Sequence, residues 1–400
     1  MADIASARLY ISEHWQRLLR EHPTDDGTLI GLPHPYIVPS TGNKDFLFEE
    51  QYYWDSYFTS LGFAHSDHQE LVEGMLENLI YLFQRFGLIP NASRMYMTSR
   101  SHPPLLTSFI FHVYDTYQKS NEWLQEHIAI AEQEYQNVWM RSTHPQWHNV
   151  HEGLSRYYDI NVLHDLAEAE SGWDMTPRFE RKCLDFLPVD LNALLYKYEI
   201  DFARAAEILG KSGEASVWRS QAEERKENMN RLMWGKLRGF FFDYNYAKGE
   251  LGGTWSLAGF YPMWVGMVDA TQANRMVENL IKFTKKGGLT TTTRPLIDMS
   301  IFGSLKTQWA YPNGWAPLHL IVIEALERYG YHETAKDIAT RWLKTNLDWY
   351  KKHGVFAEKY NVVNPTKRPM EGMYPSQDGF GWTNAVFENL CEKYLDGGGA

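Results

Sequence analysis

The chain has 400 residues, of which 44% are hydrophobic, so it can bury a large core. Its 39 basic and 50 acidic residues give a formal net charge of −11, with no basic run. This balance argues against a nucleic-acid partner and against binding to an anionic membrane surface. No apolar stretch approaches the roughly 20 residues that a bilayer span requires.

Two features favour a cytoplasmic location. The first residues lack both the basic and the apolar region of a secretion signal. Cys183 and Cys391 lie far apart in sequence and fit neither a disulfide framework nor a metal site. We therefore expect a cytoplasmic protein with reduced thiols.

Helical periodicity dominates the chain. From residue 190 an apolar stripe recurs every three to four positions and ends at Gly210, which is typical of an amphipathic helix. Evidence for strands is thin, and only 240–246 predicts a short hairpin. The predicted helices span about 5–20, 68–86, 103–119, 123–140, 190–209, 214–234, 271–284, 315–329, 332–350 and 382–394.

The spacing of these helices indicates the fold class. About a dozen helices with long loops between alternate ones suit a toroid of paired helices. A helical solenoid would have a similar spacing, but it should show sequence repeats, and none is found. We predict an all-α (α/α)6 toroid barrel over residues 1–400, as one catalytic domain with long catalytic loops and at most a short β-hairpin.

An aromatic and acidic block at 48–58 is the first candidate site. It includes Phe48, Tyr52, Trp54 and Asp55. Aromatic faces stack on the apolar faces of sugar rings, and carboxylates accept hydrogen bonds from hydroxyl groups, so the block suits a carbohydrate pocket. The alternative is a core helix that is rich in aromatic residues.

Cleavage of a glycosidic bond needs one carboxylic acid and one carboxylate, and two loop residues are candidates. Asp174 follows Gly172, which permits positive φ, and Trp173, an apolar neighbour that could raise a carboxyl pKa. The alternative for Asp174 is a helix N-cap. Glu358 follows a predicted helix end near Gly354, and its alternative is a surface Glu paired with a Lys.

Three further segments are predicted to form walls of a pocket. They are loops rich in aromatic residues, Gly and Pro, and they offer amide and guanidinium groups to sugar hydroxyls. Their candidate residues are Asn91, Arg100, Gln308, Trp309, Trp315, Gln377 and Trp382. The fifteen histidines show no His-Glu-x-x-His pattern and no tight cluster, so we predict no metal and no cofactor.

From about residue 35 to 384 the sequence resembles the trehalase family of glycoside hydrolases. A Phe-x-Glu-x-Tyr-x-Trp-Asp-x-Tyr signature is matched at 48–57, and most of Gln-Trp-Asp-x-Pro-x-Gly-Trp-x-Pro is matched at 308–317. Ser-Gly-Trp-Asp at 171–174, Glu-Lys-Tyr at 358–360 and the glycine- and aromatic-rich segment 377–384 also match.

The resemblance implies an (α/α)6 barrel that hydrolyses an α-glucosidic bond with inversion. It implies that Asp174 is the general acid and Glu358 the general base. The sugar contacts that it implies fall on Phe48, Trp54, Asp55, Asn91, Arg100, Gln308 and Trp309. We expect Tyr52, Arg156, Gly172, Trp315, Gln377 and Trp382 to complete the binding site.

Four departures from the family pattern concern the leaving group. Leu47 stands at the position of an arginine, Ala310 at that of an aspartate and Met373 at that of a glutamate. The segment between Arg156 and Asp174 is too short for the family's Arg-Pro-Glu, which contacts the second glucose. Arg156, or a histidine of this segment, could contact a smaller leaving group such as glycerol or glycerate.

The sequence therefore predicts an inverting, trehalase-like glycoside hydrolase that cleaves the α-glucosidic bond of α,α-trehalose to give glucose and uses one catalytic water. An alternative is cleavage of glucosylglycerol or glucosylglycerate, which are compatible solutes. An alternative of another class is a non-catalytic sugar-binding protein, and a scaffold of helical repeats is a further one. The sequence does not indicate the oligomeric state.

Overall fold

The computed structural model describes residues 2–42, 47–63, 68–140, 144, 146–295, 307–372 and 374–396. Thirteen α-helices lie within these ranges. They are α1 (Ala2–Leu18), α2 (Tyr53–Ser60), α3 (Gln69–Phe86), α4 (Leu106–Thr116), α5 (Asn121–Glu134), α6 (His164–Glu170), α7 (Val189–Ile208), α8 (Ser212–Leu232), α9 (Tyr261–Trp264), α10 (Ala270–Asn279), α11 (Ala316–Arg328), α12 (His332–His353) and α13 (Gly381–Tyr394).

Six of these helices form a closed ring. In chain order α2, α4, α7, α9, α11 and α13 each contact the next, and α13 contacts α2. All eight residues of α2 and ten of the thirteen in α11 are buried. Helices that are apolar on most sides belong in the interior, which explains their place in the ring.

A second set of helices packs around the ring. Helices α3 and α5 each contact two ring helices, α8 lies along α7, and α12 lies along α11. Only four of the 21 residues of α8 are buried, because one narrow apolar stripe is enough for an outer helix. Two concentric layers of helices make an (α/α)6 barrel, which confirms the predicted fold class.

The short strands are more numerous than predicted. All strand pairs in the described ranges are antiparallel, and each strand has two or three residues. They are β1 (Leu19–Arg20), β2 (Tyr36–Ile37), β3 (Asn149–His151), β4 (Leu154–Ser155), β5 (Phe186–Leu187), β6 (Trp234–Gly235), β7 (Phe240–Phe241), β8 (Tyr244–Asn245), β9 (Glu250–Leu251), β10 (Thr284–Lys285), β11 (Gly288–Leu289), β12 (Asn313–Trp315) and β13 (Lys359–Asn361).

The expectation of at most one short hairpin therefore needs correction. The segment predicted as a hairpin divides between two sheets, because β7 pairs with β6 whereas β8 pairs with β5 and β9. Strands this short leave no visible alternation of apolar and polar residues, so the sequence gives no signal for them.

Strands β12 and β13 matter most for the site. Trp315 of β12 lies opposite Lys359 of β13, which joins the loop before α11 to the segment that carries Glu358. The pair therefore fixes one predicted wall of the pocket, the loop at 308–317, against the segment that carries a candidate catalytic carboxyl group. No helix in the described ranges is long and apolar enough to cross a bilayer.

Candidate active site

Five tryptophans from distant parts of the chain meet in one buried cluster. Trp309 and Trp315 are parallel, with ring centroids 3.7 Å apart, and Trp173 stacks on Trp309 at 5.5 Å. Trp54 of α2 lies 5.6 Å from Trp309 and 5.7 Å from Trp382 of α13. The rings therefore stack mainly on one another and form an apolar wall.

The aromatic block at 48–58 is a buried helix and also part of this wall. Its helical portion is α2, in which Trp54 and Asp55 are both buried. Phe48 and Tyr52 precede α2, with centroids 6.0 Å apart, and Phe48 meets Phe380 edge-on at 6.2 Å. The core-helix alternative therefore describes α2, and Trp54 of this helix is also part of the apolar wall.

Gly172 brings the loop of Asp174 against Trp54. Its φ is +71°, and a Cβ atom there would lie 2.8 Å from the Trp54 ring. Only glycine combines the left-handed backbone with this close approach. Glycine at 172, which the sequence predicts for its positive φ, is therefore also required by packing against Trp54.

Asp174 is half-buried beside this wall. Gln308 donates its side-chain amide to the Asp174 carbonyl at 2.8 Å, and the Trp309 N–H donates to the Met175 carbonyl at 3.2 Å. Burial raises the pKa of Asp174 to about 7, and the negative charge of Glu358 adds to the increase. Asp174 can therefore keep its proton near neutral pH.

Glu358 is fully buried and is held by hydrogen bonds at both carboxylate oxygens. Oε1 accepts from the Tyr374 hydroxyl at 2.8 Å. Oε2 accepts from Lys359 Nζ at 2.5 Å and from the Gln377 N–H at 3.4 Å. The alternative, a surface glutamate paired with a lysine, is wrong because Glu358 is buried. The pairing itself is present, since Lys359 binds Glu358.

The backbone around Glu358 is also fixed. Its N–H donates to the Gln377 carbonyl at 2.9 Å. Its carbonyl accepts from Trp382 Nε1 at 3.4 Å and from the Thr383 hydroxyl at 3.3 Å. Two predicted site residues, Gln377 and Trp382, therefore support Glu358, and the Gln377 side-chain amide donates to the Pro375 carbonyl at 2.7 Å.

A third carboxyl group belongs to the same cluster. Asp55 is 7% exposed, and burial raises its pKa, with further increases from the charges of Glu358 and Asp174. Three carboxyl groups in such proximity are not expected to ionise together. The arrangement can therefore hold a proton on one carboxyl group while another is charged.

Arg100 and Asn91 connect the neighbouring loops. Arg100 forms a 3.1 Å ion pair with Asp159, and its Nε is buried without a partner among the described residues. The Asn91 amide donates to the carbonyls of Ser101 and Ala169 at 3.3 and 3.2 Å. Asn91 thereby joins the loop of Arg100 to the end of α6, from which the Asp174 loop begins.

Gln308 presents a buried acceptor. Its Oε1 has no hydrogen-bond partner among the described residues. A Cβ atom at Gly372 would lie 2.5 Å from Gln308 Cδ, so the Gly372 backbone lies directly against the amide. An unpaired buried acceptor is costly, which is consistent with a site that receives a donor from a ligand.

Arg156 lies in a different environment. Its guanidinium donates to the carbonyls of Trp147 and Leu184 and to the Tyr246 hydroxyl, each at 2.8 Å, and also to the Gln146 carbonyl. These bonds fasten the turn that carries β3 and β4. None of them reaches the carboxyl cluster.

The departures noted above have different structural settings. Leu47 is 61% exposed, whereas Ala310 is buried. Met373 lies outside the described residues, between Gly372 and Tyr374. At these three positions the sequence has apolar side chains where the family pattern has charged ones.

Sequence reasoning missed two residues that contact the predicted site. Tyr374 was not singled out, although its Tyr-Pro pair follows the family pattern and could have pointed to it. Glu170 is fully buried and accepts from the N–H groups of Ser101 and Tyr158 at 2.8 and 2.7 Å. It fixes both segments that hold the Arg100–Asp159 pair. A lone Glu at a helix end gives no such signal.

A metal site is not supported by the geometry in hand. Among the residues that the structure describes, no three His, Cys, Asp or Glu side chains are grouped so that they could hold a metal ion. The carboxyl groups beside the apolar wall are suited to proton transfer.

Comparison with known proteins agrees with this geometry. The family model described as Trehalase matches residues 2–171 and 143–395. The chain is 29% identical to the neutral trehalase from Saccharomyces cerevisiae, with a TM-score of 0.78 over 91% of this chain and 74% of that chain.

More distant structures share the fold alone. A GH63 mannosylglycerate hydrolase from Thermus thermophilus in complex with glucose is 17% identical, with a TM-score of 0.71 over 96% of this chain and 99% of that chain. A rhamnosidase from Klebsiella oxytoca is 12% identical, with a TM-score of 0.60 over 97% of this chain and 63% of that chain.

Proposed function

This chain belongs to the trehalase family of glycoside hydrolases, and we propose that it hydrolyses an α-glucosidic bond with inversion through Asp174 and Glu358. The observation that carries the proposal is the contrast between the two carboxyl groups. Burial raises the pKa of Asp174 to about 7, whereas Glu358 has a hydrogen-bond donor at each oxygen. One environment retains a proton, and the other favours a charge.

The two carboxyl groups then have separate roles. Protonated Asp174 donates to the glycosidic oxygen, and charged Glu358 takes a proton from a water that attacks the anomeric carbon from the opposite face. The bond to the leaving group breaks as the bond to water forms, which releases β-glucose. In such enzymes the two carboxyl groups are about 6.5–9.5 Å apart, to leave room for the water.

The other residues of the cluster suit the binding of one glucose unit. Asp55 and the unpaired Oε1 of Gln308 can accept hydrogen bonds from sugar hydroxyls, and Arg100 Nε can donate one. The tryptophan wall excludes water from the reacting bond, which strengthens these polar contacts. Asn91, Glu170 and Gly172 hold the loops that present them.

The proposed substrate is trehalose, the sugar that the family name indicates. A second candidate is an α-glucosylated compatible solute such as glucosylglycerol or glucosylglycerate. It is favoured by Leu47 and Ala310, which are apolar at two positions where the family pattern has charged groups that we assign to recognition of the leaving group. One solved structure with this fold is named a mannosylglycerate hydrolase, and glycerate is a small leaving group of this kind.

We also place the enzyme in the cytoplasm. Cys183 and Cys391 are both buried and unpaired, which suits a reducing compartment.

A panel of α-glucosides, assayed for released glucose, distinguishes the two substrates. Turnover of trehalose favours the first candidate, and turnover of a glucosyl-polyol with trehalose inert favours the second.

The acid and base roles are tested with two donors that differ in leaving group. Fluoride leaves without protonation, so Asp174→Asn should cleave α-glucosyl fluoride at a rate close to that of the wild type while losing activity on an α-glucoside. Glu358→Gln should lose both activities, because both need the attacking water.

Asp201→Asn serves as a control, since Asp201 is a buried carboxyl on α7 that pairs with Lys197 away from the cluster. It should keep both activities. Equal loss of both activities in Asp174→Asn, or retained activity in Glu358→Gln, would contradict the proposed roles.

A further inference from the structure

Lys359 is a fully buried lysine in contact with Glu358. It begins β13, and its side chain has no exposed surface. Its Nζ lies 2.5 Å from Glu358 Oε2, 4.9 Å from the centroid of the Trp315 ring and 5.6 Å from that of Tyr374. Lysines are almost never fully buried unless they are paired, so this placement calls for a reason.

We propose that Lys359 is a positioning residue, which keeps the Glu358 carboxylate charged and fixes its orientation toward the attacking water. The proposal rests on the role of Glu358 proposed above. Lys359 contacts neither of the bonds that change, and it acts only through Glu358.

The charges around Glu358 explain why a cation is needed there. Asp55 from α2, Asp174 from the loop after α6 and Asp378 from the segment before α13 all act on Glu358 as negative groups when ionised. Tyr374, from the same segment as Asp378, contributes a neutral donor. Lys359 is the cation hydrogen-bonded to Glu358 among the described residues. A buried carboxylate facing like charges requires such a partner.

The geometry also orients the carboxylate. Each carboxylate oxygen has two acceptor positions. Lys359 binds Oε2 and Tyr374 binds Oε1, so rotation of the group would break one of these bonds. We assign the attacking water to the second acceptor position of Oε1. A base held in this way presents its lone pair in a fixed direction, as general base catalysis requires.

The fold places Lys359 independently of any ligand. The register of β12 and β13 sets Lys359 opposite Trp315, whose ring is stacked on Trp309. A cation near the face of an indole ring is stabilised by the ring's negative face. The aromatic wall therefore partly replaces the hydration that a buried ammonium loses.

The experiment compares Lys359→Met with Lys359→Arg on the best α-glucoside. Lys359→Met keeps the apolar length of the side chain and removes the charge. It should lower kcat roughly 100-fold, with a smaller change in KM, because general base catalysis is impaired. The acid limb of the pH–rate profile should move to higher pH by about one unit or more, the size of effect that an adjacent opposite charge has. Lys359→Arg should restore the limb and part of kcat.

Lys197→Met is the matched control. Lys197 forms a 2.8 Å pair with Asp201 on α7, so the same charge is removed from a carboxylate outside the cluster. Its pH–rate profile should equal that of the wild type. Circular dichroism and thermal unfolding of all variants identify any that do not fold.

Two results would overturn the proposal. One is a wild-type kcat in folded Lys359→Met. The other is a lower kcat with an unmoved acid limb of the pH–rate profile, because a merely structural role lowers activity without moving that limb. Tyr374→Phe, which keeps the ring, decides the matter if Lys359→Met does not fold. It should move the same limb upward by a smaller amount, and an unmoved limb would overturn the proposal. A wild type inactive on every α-glucoside would instead contradict the proposed function itself.

Discussion

Asp174 and Glu358 lie in the same cluster but are surrounded differently. Asp174 comes from a loop packed on tryptophans, and the hydrogen bond that lowers its pKa comes from its own backbone. Glu358 has donors from Lys359, Tyr374 and the Gln377 backbone. Two acidic side chains with similar intrinsic acidity are thus prepared for opposite tasks by the number of donors around them.

Another buried carboxyl shows that a shifted pKa alone does not make a catalytic acid. Burial raises the pKa of Glu134 to about 7 as well, although it accepts from the Tyr53 and Tyr198 hydroxyls. Glu134 is fully buried, whereas Asp174 is partly accessible. Partial exposure and membership of the carboxyl cluster, in addition to the shifted pKa, distinguish Asp174 from Glu134.

The largest expected effect is that of Glu358→Gln on turnover. Loss of the general base should lower kcat on the order of 10⁴-fold, because the attacking water loses its proposed proton acceptor. Steady-state release of glucose measures it. Glu134→Gln is the control, since Glu134 is a buried carboxyl of another network, and it should retain activity. Comparable losses in both variants would remove the distinction between the two carboxyl groups.

Glu358→Gln should also destabilise the fold at pH 8. It leaves the Lys359 ammonium buried without its anion, which costs about 3 kcal/mol of unfolding free energy or more. Chemical denaturation measures this change. An unchanged or increased stability would mean that the pair is neutral rather than ionic.

Gly172→Ala tests how closely the Asp174 loop packs on Trp54. Gly210→Ala is a matched control, because Gly210 has a similar φ of +73° but no atom within 4 Å of an added Cβ. Both variants should lose about 1 kcal/mol from backbone strain. Gly172→Ala should lose about 2 kcal/mol more from overpacking, and its kcat should fall. Equal losses in denaturant unfolding would show that the contact with Trp54 is unimportant.

Asp174→Asn should stabilise the fold at pH 8, whereas Glu358→Gln and Gly172→Ala should destabilise it. A carboxyl whose pKa is raised on folding contributes stability below its unfolded pKa and loses it as pH rises through its folded pKa of about 7. The variant should therefore gain about 2 kcal/mol over the wild type at pH 8, after allowance for partial exposure, and much less at pH 4. Urea unfolding at the two pH values checks this, and a pH-independent difference would contradict it.

The smallest effect is the fall of wild-type activity at alkaline pH. Because Asp174 must be protonated to act, kcat/KM should decrease above about pH 7, by about tenfold per pH unit. The rate on α-glucosyl fluoride should lack this limb, since fluoride needs no proton. If the alkaline limb lies at the same pH with the α-glucoside and with α-glucosyl fluoride, the limb belongs to a group other than Asp174.

Sequence reasoning recovers the parts of the molecule that have a long or repeated signal. The amphipathic stripe at 190–209 corresponds to α7 at Val189–Ile208, and the predicted 315–329 corresponds to α11 at Ala316–Arg328. The short helix α9 and the two-residue strands have no periodicity to detect. Their formation depends on tertiary contacts.

Most of the candidate site could be named from sequence, but not the contacts within it. The sequence predicts that Trp54, Trp309 and Trp382 contact a sugar, and in the structure their rings also pack on one another at tilted and edge-on angles. In the sequence, Lys359 belongs to the matched Glu-Lys-Tyr segment and is offered as the partner of a surface glutamate, but it is assigned no role at the site. Burial of that pair depends on the β12–β13 register, which no local pattern reveals.

The stereochemistry of the first product tests the opposing roles of Asp174 and Glu358 most directly. Proton NMR in the first minutes of α-glucosyl fluoride hydrolysis distinguishes the anomers before mutarotation mixes them. Attack by a water on Glu358, from the face opposite the leaving group, should give β-glucose first. Initial release of α-glucose would contradict it, because retention requires a carboxylate that attacks the sugar itself.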